Sequence, residues 1–193
     1  TFSGRIVLVG TSAAGLFDIS HMGELFVRGT DAEKNLERLL TCRVDSLAIG
    51  QARYGTMLNE GGGILDDLIV FRTDPKEYMV VVNAATRAKD VNWIQSKLEG
   101  RADLTDASDQ IAKLDIQGPS SNEAVKDTFS AEAAEAILSL RPFRCCRVVF
   151  EGTDLLASRT GYTGELGYEL FCNPPVVAGL WERLLGHPAV KPV

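Results

Sequence analysis

The sequence has no apolar run approaching the length of a membrane span, so a transmembrane helix is excluded. Its opening residues lack the charged-then-apolar pattern of a secretory signal. Basic residues are scattered, and 20 Lys and Arg are outnumbered by 26 Asp and Glu, for a net charge of −6. A nucleic-acid partner, which needs a basic patch, is therefore not expected. Cys42, Cys145, Cys146 and Cys172 lack metal-ligand spacing, and the adjacent pair would point opposite ways on a strand. They read as free thiols in a reducing compartment, with no metal site. Histidine is scarce, at His21 and His187. Ser20-His21 looks like a nucleophile beside a base, but neighbouring residues rarely aim at each other, and a Ser-His-Asp hydrolase is disfavoured. No low-complexity stretch or linker interrupts the chain.

What is present is ordinary globular composition: 193 residues, 45% hydrophobic and 24% charged, enough for one large domain or two small ones. The first residue is Thr, and Lys191-Pro192-Val193 resembles neither a helix end nor a tail, so a fragment truncated at both ends is expected.

The central stretch is Leu58-Asn59-Glu60-Gly61-Gly62-Gly63-Ile64-Leu65-Asp66-Asp67-Leu68-Ile69-Val70. The glycines read as an open turn. They precede a strand rather than a helix, which excludes a phosphate loop. Strand alternation sends Asp66 and Asp67 to opposite faces. Two buried, unpaired carboxylates would be costly. One is therefore expected to face solvent or a backbone partner, and the other to look inward, into a cavity. Asp67 is the leading candidate for chemistry: in a partly apolar cavity its charged form is disfavoured, and it could exchange a proton with a nitrogen-containing ligand.

Around this stretch the pattern alternates strands and helices. A strand is expected over Ile6–Val9 and another over Glu24–Arg28. Thr30-Asp31-Ala32-Glu33 reads as a capping box, followed by a helix with Leu36, Leu39 and Leu40 on one face. Arg53–Leu58 and Ile64–Arg72 should form a hairpin, Tyr78–Asn83 a buried strand, and Thr86–Leu98 a helix ended by Gly100. Ile111–Gln117 alternates as a strand, Ser130 can cap a helix, and a hairpin turns at Gly152. A strand over Tyr168–Cys172 and a helix over Pro175–Leu185 follow. Interspersed elements with two hairpins indicate an α+β fold with antiparallel sheet.

Other candidates are more ambiguous. Glu165 and Glu169 flank the loop glycines Gly164 and Gly167; Glu169, at a strand start, is the one able to point inward. Asn59 and Asn83 have the positions of turn or cap residues. Tyr54, Met79 and Tyr162 offer flat or soft apolar surface suited to a planar heterocycle, although such residues are usually core.

Five motifs together resemble the T-protein (aminomethyltransferase) family of the glycine cleavage system. They are Gly15-Leu16-Phe17-Asp18-Ile19-Ser20-His21-Met22, Met57–Glu60 with Gly62–Val70, Val82-Asn83-Ala84, Ile116-Gln117-Gly118-Pro119, and Arg159–Glu169. The resemblance runs in order from about residue 15 to residue 185 and implies antiparallel sheets with helices packed on them. The two similar-sized, intertwined lobes, about 1–100 and 101–193, would form one folate-binding domain. It also implies tetrahydrofolate as co-substrate and the lipoylated H-protein as partner. The aminomethyl group on the dihydrolipoyl arm would be converted to 5,10-methylenetetrahydrofolate and ammonia. By the same resemblance Asp67 is the catalytic acid near folate N10, Glu169 hydrogen-bonds the pterin, and Tyr54, Met22, Met79 and Val81 line the pocket. The location would be cytoplasmic in a bacterium and the mitochondrial matrix in a eukaryote. The family's opening before Gly15 is not recognisable here, and its further folate-contacting Arg and β-rich C-terminal domain would fall beyond residue 193. Two alternatives stay open: the folate-binding half of a flavin-dependent sarcosine or dimethylglycine demethylating oxidase, and a non-transferase folate-binding protein linked to iron–sulfur enzyme maintenance.

Overall fold

The computed structural model describes residues 13–193; the strand expected over Ile6–Val9 lies outside the described residues. In chain order the strands are β1 (Ala14–Asp18), β2 (Gly23–Arg28), β3 (Gln51–Leu58), β4 (Ile64–Asp74), β5 (Glu77–Val82), β6 (Asp103–Asp106), β7 (Ala112–Gln117), β8 (Cys145–Phe150), β9 (Thr153–Ser158), β10 (Gly167–Cys172) and β11 (Val190–Pro192). The helices are α1 (Ala32–Leu39), α2 (Arg87–Lys97), α3 (Ser121–Thr128), α4 (Ala131–Leu138) and α5 (Pro174–Leu185), with one 3-10 turn at Ser108–Gln110. No helix among the described residues is long and apolar enough to cross a membrane.

The chain forms two compact units, each assembled from separate segments. One comprises residues 13–19 with Lys113–Pro142 and Cys146–Val193; the other comprises Ser20–Ala112 with Phe143–Cys145. The chain therefore passes between units at Ile19/Ser20, Ala112/Lys113, Pro142/Phe143 and Cys145/Cys146.

The Ser20–Ala112 unit is a five-stranded sheet in the order β3-β4-β5-β2-β6, antiparallel at every pairing. One face packs its apolar core: Leu25 and Val27 of β2, Leu68 and Val70 of β4, and Tyr78, Val80 and Val82 of β5 meet Leu36 of α1 and Ile94 of α2. Phe143–Cys145 lies along the β3 edge, through Ala52 N to Phe143 O and Cys145 N to Gly50 O, both 2.9 Å.

The expected hairpin forms between β3 and β4, and Asn59 shapes its turn. The Asn59 Oδ1 atom accepts from the amides of Gly61 and Gly63, each at 2.9 Å. The expected capping box does not form. Asp31, not Thr30, is the N-cap of α1 and makes no side-chain cap bond. Its carboxylate accepts from Arg101 N at 2.7 Å, while Glu33 accepts from Tyr78 Oη at 2.9 Å and pairs with Arg72 at 3.0 Å. Tertiary partners, the Arg101 backbone amide for Asp31 and the Tyr78 hydroxyl and Arg72 guanidinium for Glu33, have taken the place of the local backbone amides.

The other unit is a six-stranded sheet in the order β11-β1-β7-β10-β9-β8. β1 runs antiparallel to β7 and parallel to β11, an edge strand the sequence pattern did not reveal. Between β8 and β9, Glu151 and Gly152 both take positive φ (48° and 79°). That combination matches the two-residue turn whose twist suits a hairpin. Ser130 caps α4 as expected, accepting from Ala133 N at 3.3 Å.

Candidate functional site

Two polar clusters stand out, one in each unit. In the Ser20–Ala112 unit, alternation along β4 places Asp66 with Leu68 and Val70 on the core side. Asp66 is 7% exposed. It accepts from Asn83 N at 3.1 Å, Asn83 Nδ2 at 2.9 Å and Thr86 Oγ1 at 2.7 Å. Burial works to raise its pKa, but these donors outweigh burial and hold the carboxyl below its ordinary range. The inward carboxylate ties β4 to the segment joining β5 and α2. Asp90 of α2 is also fully buried, next to Asp66, and burial pushes its carboxyl up to about 6.

Asp67 faces the other way and is exposed. Tyr54 Oη donates to Asp67 Oδ2 at 3.3 Å, and Asn83 Nδ2 to Asp67 Oδ1 at 3.1 Å. The Asn83 amide therefore bridges both carboxylates. Asn83 opens a turn as expected, its carbonyl accepting from Thr86 N at 3.1 Å, and its side chain also fixes the acidic pair. The negative charge of Asp67, first among the causes, raises the Tyr54 phenol pKa.

Register brings four of the expected site residues to one sheet face. Tyr54 pairs with Ile69, and Ile69 with Val81; Asp67 and Ile69 are two apart, as are Val81 and Met79. Asp67, Tyr54, Val81 and Met79 therefore share the face opposite the helix-packed core. Tyr54 is 53% exposed, whereas Met79 and Val81 are buried. Met22 lies half-buried in the bend before β2, and His21 is exposed in the same turn.

In the other unit, Glu169 of β10 is buried and points inward, while Glu165 is exposed. Lys113 Nζ lies 2.7 Å from Glu169 Oε1, both side chains under 5% exposed, and Thr160 Oγ1 hydrogen-bonds Glu169 Oε2. Lys113, Asp115 and Gln117 alternate along β7 with Ala112, Leu114 and Ile116, and all six are buried. Gln117 Nε2 donates to Asp115 Oδ1 at 2.5 Å and to Thr160 O at 3.2 Å; Thr163 Oγ1 donates to Gln117 Oε1 at 2.9 Å. The glycine-rich loop closes against this amide: a Cβ on Gly167 would lie 2.4 Å from Gln117 Cδ. Tyr162 of that loop meets Phe17 of β1 edge to face, ring centroids 6.4 Å apart.

Sequence reasoning missed Lys113 and Asp115. Their signal was visible: two charged residues alternating within a six-residue strand otherwise apolar up to Gln117. Alternation of this kind usually marks a solvated face, and here it marks a buried one. Among the described residues, no group of three or more His, Cys, Asp and Glu is arranged to hold a metal ion.

The sequence pattern of the GCVT N-terminal domain matches residues 9–190. An aminomethyltransferase of Shouchella clausii (strain KSM-K16) is 46% identical over 180 residues, 92% of this chain and 48% of the relative. One from Geobacillus kaustophilus (strain HTA426) is 42% identical over 177 residues, 91% of this chain and 48% of the relative. The chain spans about half the length of the curated relatives it matches. Among solved structures, the glycine cleavage system aminomethyltransferase T of Bartonella henselae matches with a TM-score of 0.84 at 32% identity, over 96% of this chain and 49% of that one. The heterotetrameric sarcosine oxidase of Corynebacterium sp. U-96 matches at TM-score 0.68 and 15% identity, over 92% of this chain and 84% of that one, a likeness of fold alone. With a family match across nearly its whole length and relatives above 40% identity, the chain belongs to the GCVT N-terminal domain family.

Proposed function

We propose that this chain is the folate-binding portion of a tetrahydrofolate-dependent aminomethyltransferase of the glycine cleavage system. The reaction takes the aminomethyl group from the dihydrolipoyl arm of the H-protein and yields 5,10-methylenetetrahydrofolate, ammonia and the reduced lipoyl arm. The observation that carries this reading is the division of labour between two adjacent acids. Asp66 is spent on Asn83 and Thr86, whereas Asp67 is open and oriented from two sides by Tyr54 and Asn83.

The residues fit the co-substrate. Asp67 presents a carboxylate to nitrogen-bound protons, and its sheet face continues through Ile69 and Val81. When bound, tetrahydrofolate supplies the nitrogens that accept the one-carbon unit. Asp67 holds or takes up a proton at its carboxylate while that unit moves, the role for which a positioned acid is suited. Asn83 and Tyr54 keep the Asp67 carboxylate aimed. Met22, Met79 and Val81 contribute apolar bulk next to it. In the other unit, Glu169 takes a hydrogen bond from the pterin ring, backed by the Lys113 charge.

The test is a pair of variants in the full-length protein, supplied with lipoylated H-protein and tetrahydrofolate and followed by ammonia release. Asp67→Asn keeps the side-chain shape and is expected to cut turnover by roughly a hundredfold or more. Asp66→Asn is expected to keep most of its turnover and to lose stability. A dead Asp66→Asn beside an active Asp67→Asn would reverse the roles of the two acids. Full activity in both would leave this chain a folate-binding module without catalytic function in this stretch.

A further inference from the structure

The folate reading gives Glu169 a task and leaves the acid beside it without one. Asp115 is fully buried on β7. Its Oδ1 accepts from Gln117, but its Oδ2 has no hydrogen-bond partner among the described residues. Glu169 differs: Lys113 engages one of its oxygens and Thr160 the other. Gln117 is also satisfied, with its amide nitrogen donating to two acceptors and its oxygen receiving from Thr163. The acceptor left spare in this cluster is therefore on Asp115. A buried acceptor without a donor is destabilising, and a bound donor removes that cost.

The neighbours describe what such a donor looks like. Phe17 stands opposite Asp115 in the β1–β7 register, and its ring meets Tyr162 edge to face. An acid beside two aromatic rings suits a planar heterocycle carrying N–H donors on its edge. The 2-amino group and adjacent ring N–H of a pterin form such an edge.

We propose that Asp115 is a second acid of the pterin subsite, accepting from the donor edge of the bound ring alongside Glu169. This rests on the folate reading above and adds to it a specificity-determining residue. The groups facing Asp115 are Lys113 and Gln117 on its own strand, Glu169 from β10, the uncharged Phe17 from β1 and the Tyr162 phenol from the glycine-rich loop. Burial, and next the Glu169 charge, push the Asp115 carboxyl up to about 7. In the free protein near neutrality Asp115 thus carries a proton part of the time. Ring donors favour the ionised form, so binding expels that proton to the buffer.

The experiment is calorimetric titration of tetrahydrofolate into the full-length protein at about pH 6, 7 and 8, in two buffers of different ionisation enthalpy at each pH, so that protons released per ligand are counted. The wild type is expected to release close to one proton at about pH 6 and almost none at about pH 8, since above its pKa Asp115 is already ionised. Asp115→Asn should bind about ten- to a hundredfold more weakly, the scale of a lost charged hydrogen bond, and lose the pH-dependent release. Glu169→Gln removes the charge that raises Asp115, so the release it retains should shift to lower pH. Equal affinity, or the same proton release, in wild type and Asp115→Asn would overturn the proposal. Should Asp115→Asn fail to fold, the wild-type count decides alone, and absence of pH-dependent release overturns the proposal. A wild type that binds no tetrahydrofolate at all overturns the folate reading itself, and this inference with it.

Discussion

Each unit places carboxylates close together, and the two units handle the charge in different ways. On β4, alternation turns one acid inward and one outward; the inward one, Asp66, is supplied with an amide N–H, a side-chain amide and a hydroxyl. Its pKa falls despite burial. In the β7–β10 cluster Lys113 pairs with Glu169, and among the described residues Asp115 has one donor for two oxygens. Its pKa rises. At Asp66 the donors together outweigh burial, whereas at Asp115 burial, joined by the Glu169 charge, outweighs a single donor.

The most direct way to break the comparison is to take away the cation. Lys113→Met keeps most of the side-chain volume and leaves Glu169 and Asp115 as neighbouring buried acids without a counter-charge. Removing one partner of a buried ion pair typically costs about 3–5 kcal/mol. The expected outcome is a destabilised protein in urea titration at neutral pH, partly recovered on acidification as the acids protonate. Stability equal to the wild type would mean that the Lys113–Glu169 contact contributes no net energy.

Asp66→Ala is expected to come next. It strands the Asn83 amide and the Thr86 hydroxyl and should cost about 1–3 kcal/mol at neutral pH. The pH dependence separates the clusters by sign. A lowered pKa, as at Asp66, gives stability that is present above the unfolded-state value and lost as pH falls through the folded value. A raised pKa, as at Asp115 and Asp90, does the opposite. The folded state holds protons that the unfolded chain has released, so stability falls as pH climbs from about 4 towards 6 for Asp90 and towards 7 for Asp115. Asp66→Ala should therefore flatten the acid limb of the stability profile, and Asp115→Asn the limb approaching neutrality. A profile unchanged in either variant would remove that acid from the account.

The same contrast explains what the sequence disclosed. The β3–β4 hairpin, the opposite facing of Asp66 and Asp67, the inward turn of Glu169 and the Ser130 cap all follow from local rules: alternation, turn chemistry and capping. The capping box at Thr30 failed because partners distant in sequence, the Tyr78 hydroxyl and the Arg72 guanidinium, engage the Glu33 carboxylate that the box needs. The Lys113–Asp115–Gln117 ladder was hidden for a related reason. Alternation states that these three share a face, but only the finished sheet, with Glu169 and Thr160 brought alongside, shows that the face is buried. The turn at Asn83 is legible locally, but its hold on Asp66 is not, because that partner lies 17 residues away.

The smallest expected effect tests what orients Asp67. Two groups reach its carboxylate: the Tyr54 hydroxyl at 3.3 Å and the Asn83 amide at 3.1 Å. Tyr54 is more than half exposed, so its bond competes with water, whereas Asn83 is anchored through Asp66 as well. Tyr54→Phe removes only the hydroxyl. Its stability should stay within about 0.5 kcal/mol of the wild type, as for surface substitutions generally. If Asn83 does most of the orienting, turnover in the ammonia assay should fall by only a few-fold, against roughly a hundredfold for Asp67→Asn. Asn83→Ala should lie between the two in turnover and below Tyr54→Phe in stability, since it strands Asp66 in the core. A Tyr54→Phe enzyme as inactive as Asp67→Asn would transfer the orienting role to the hydroxyl, and would make the Asp66–Asn83 linkage a matter of folding alone.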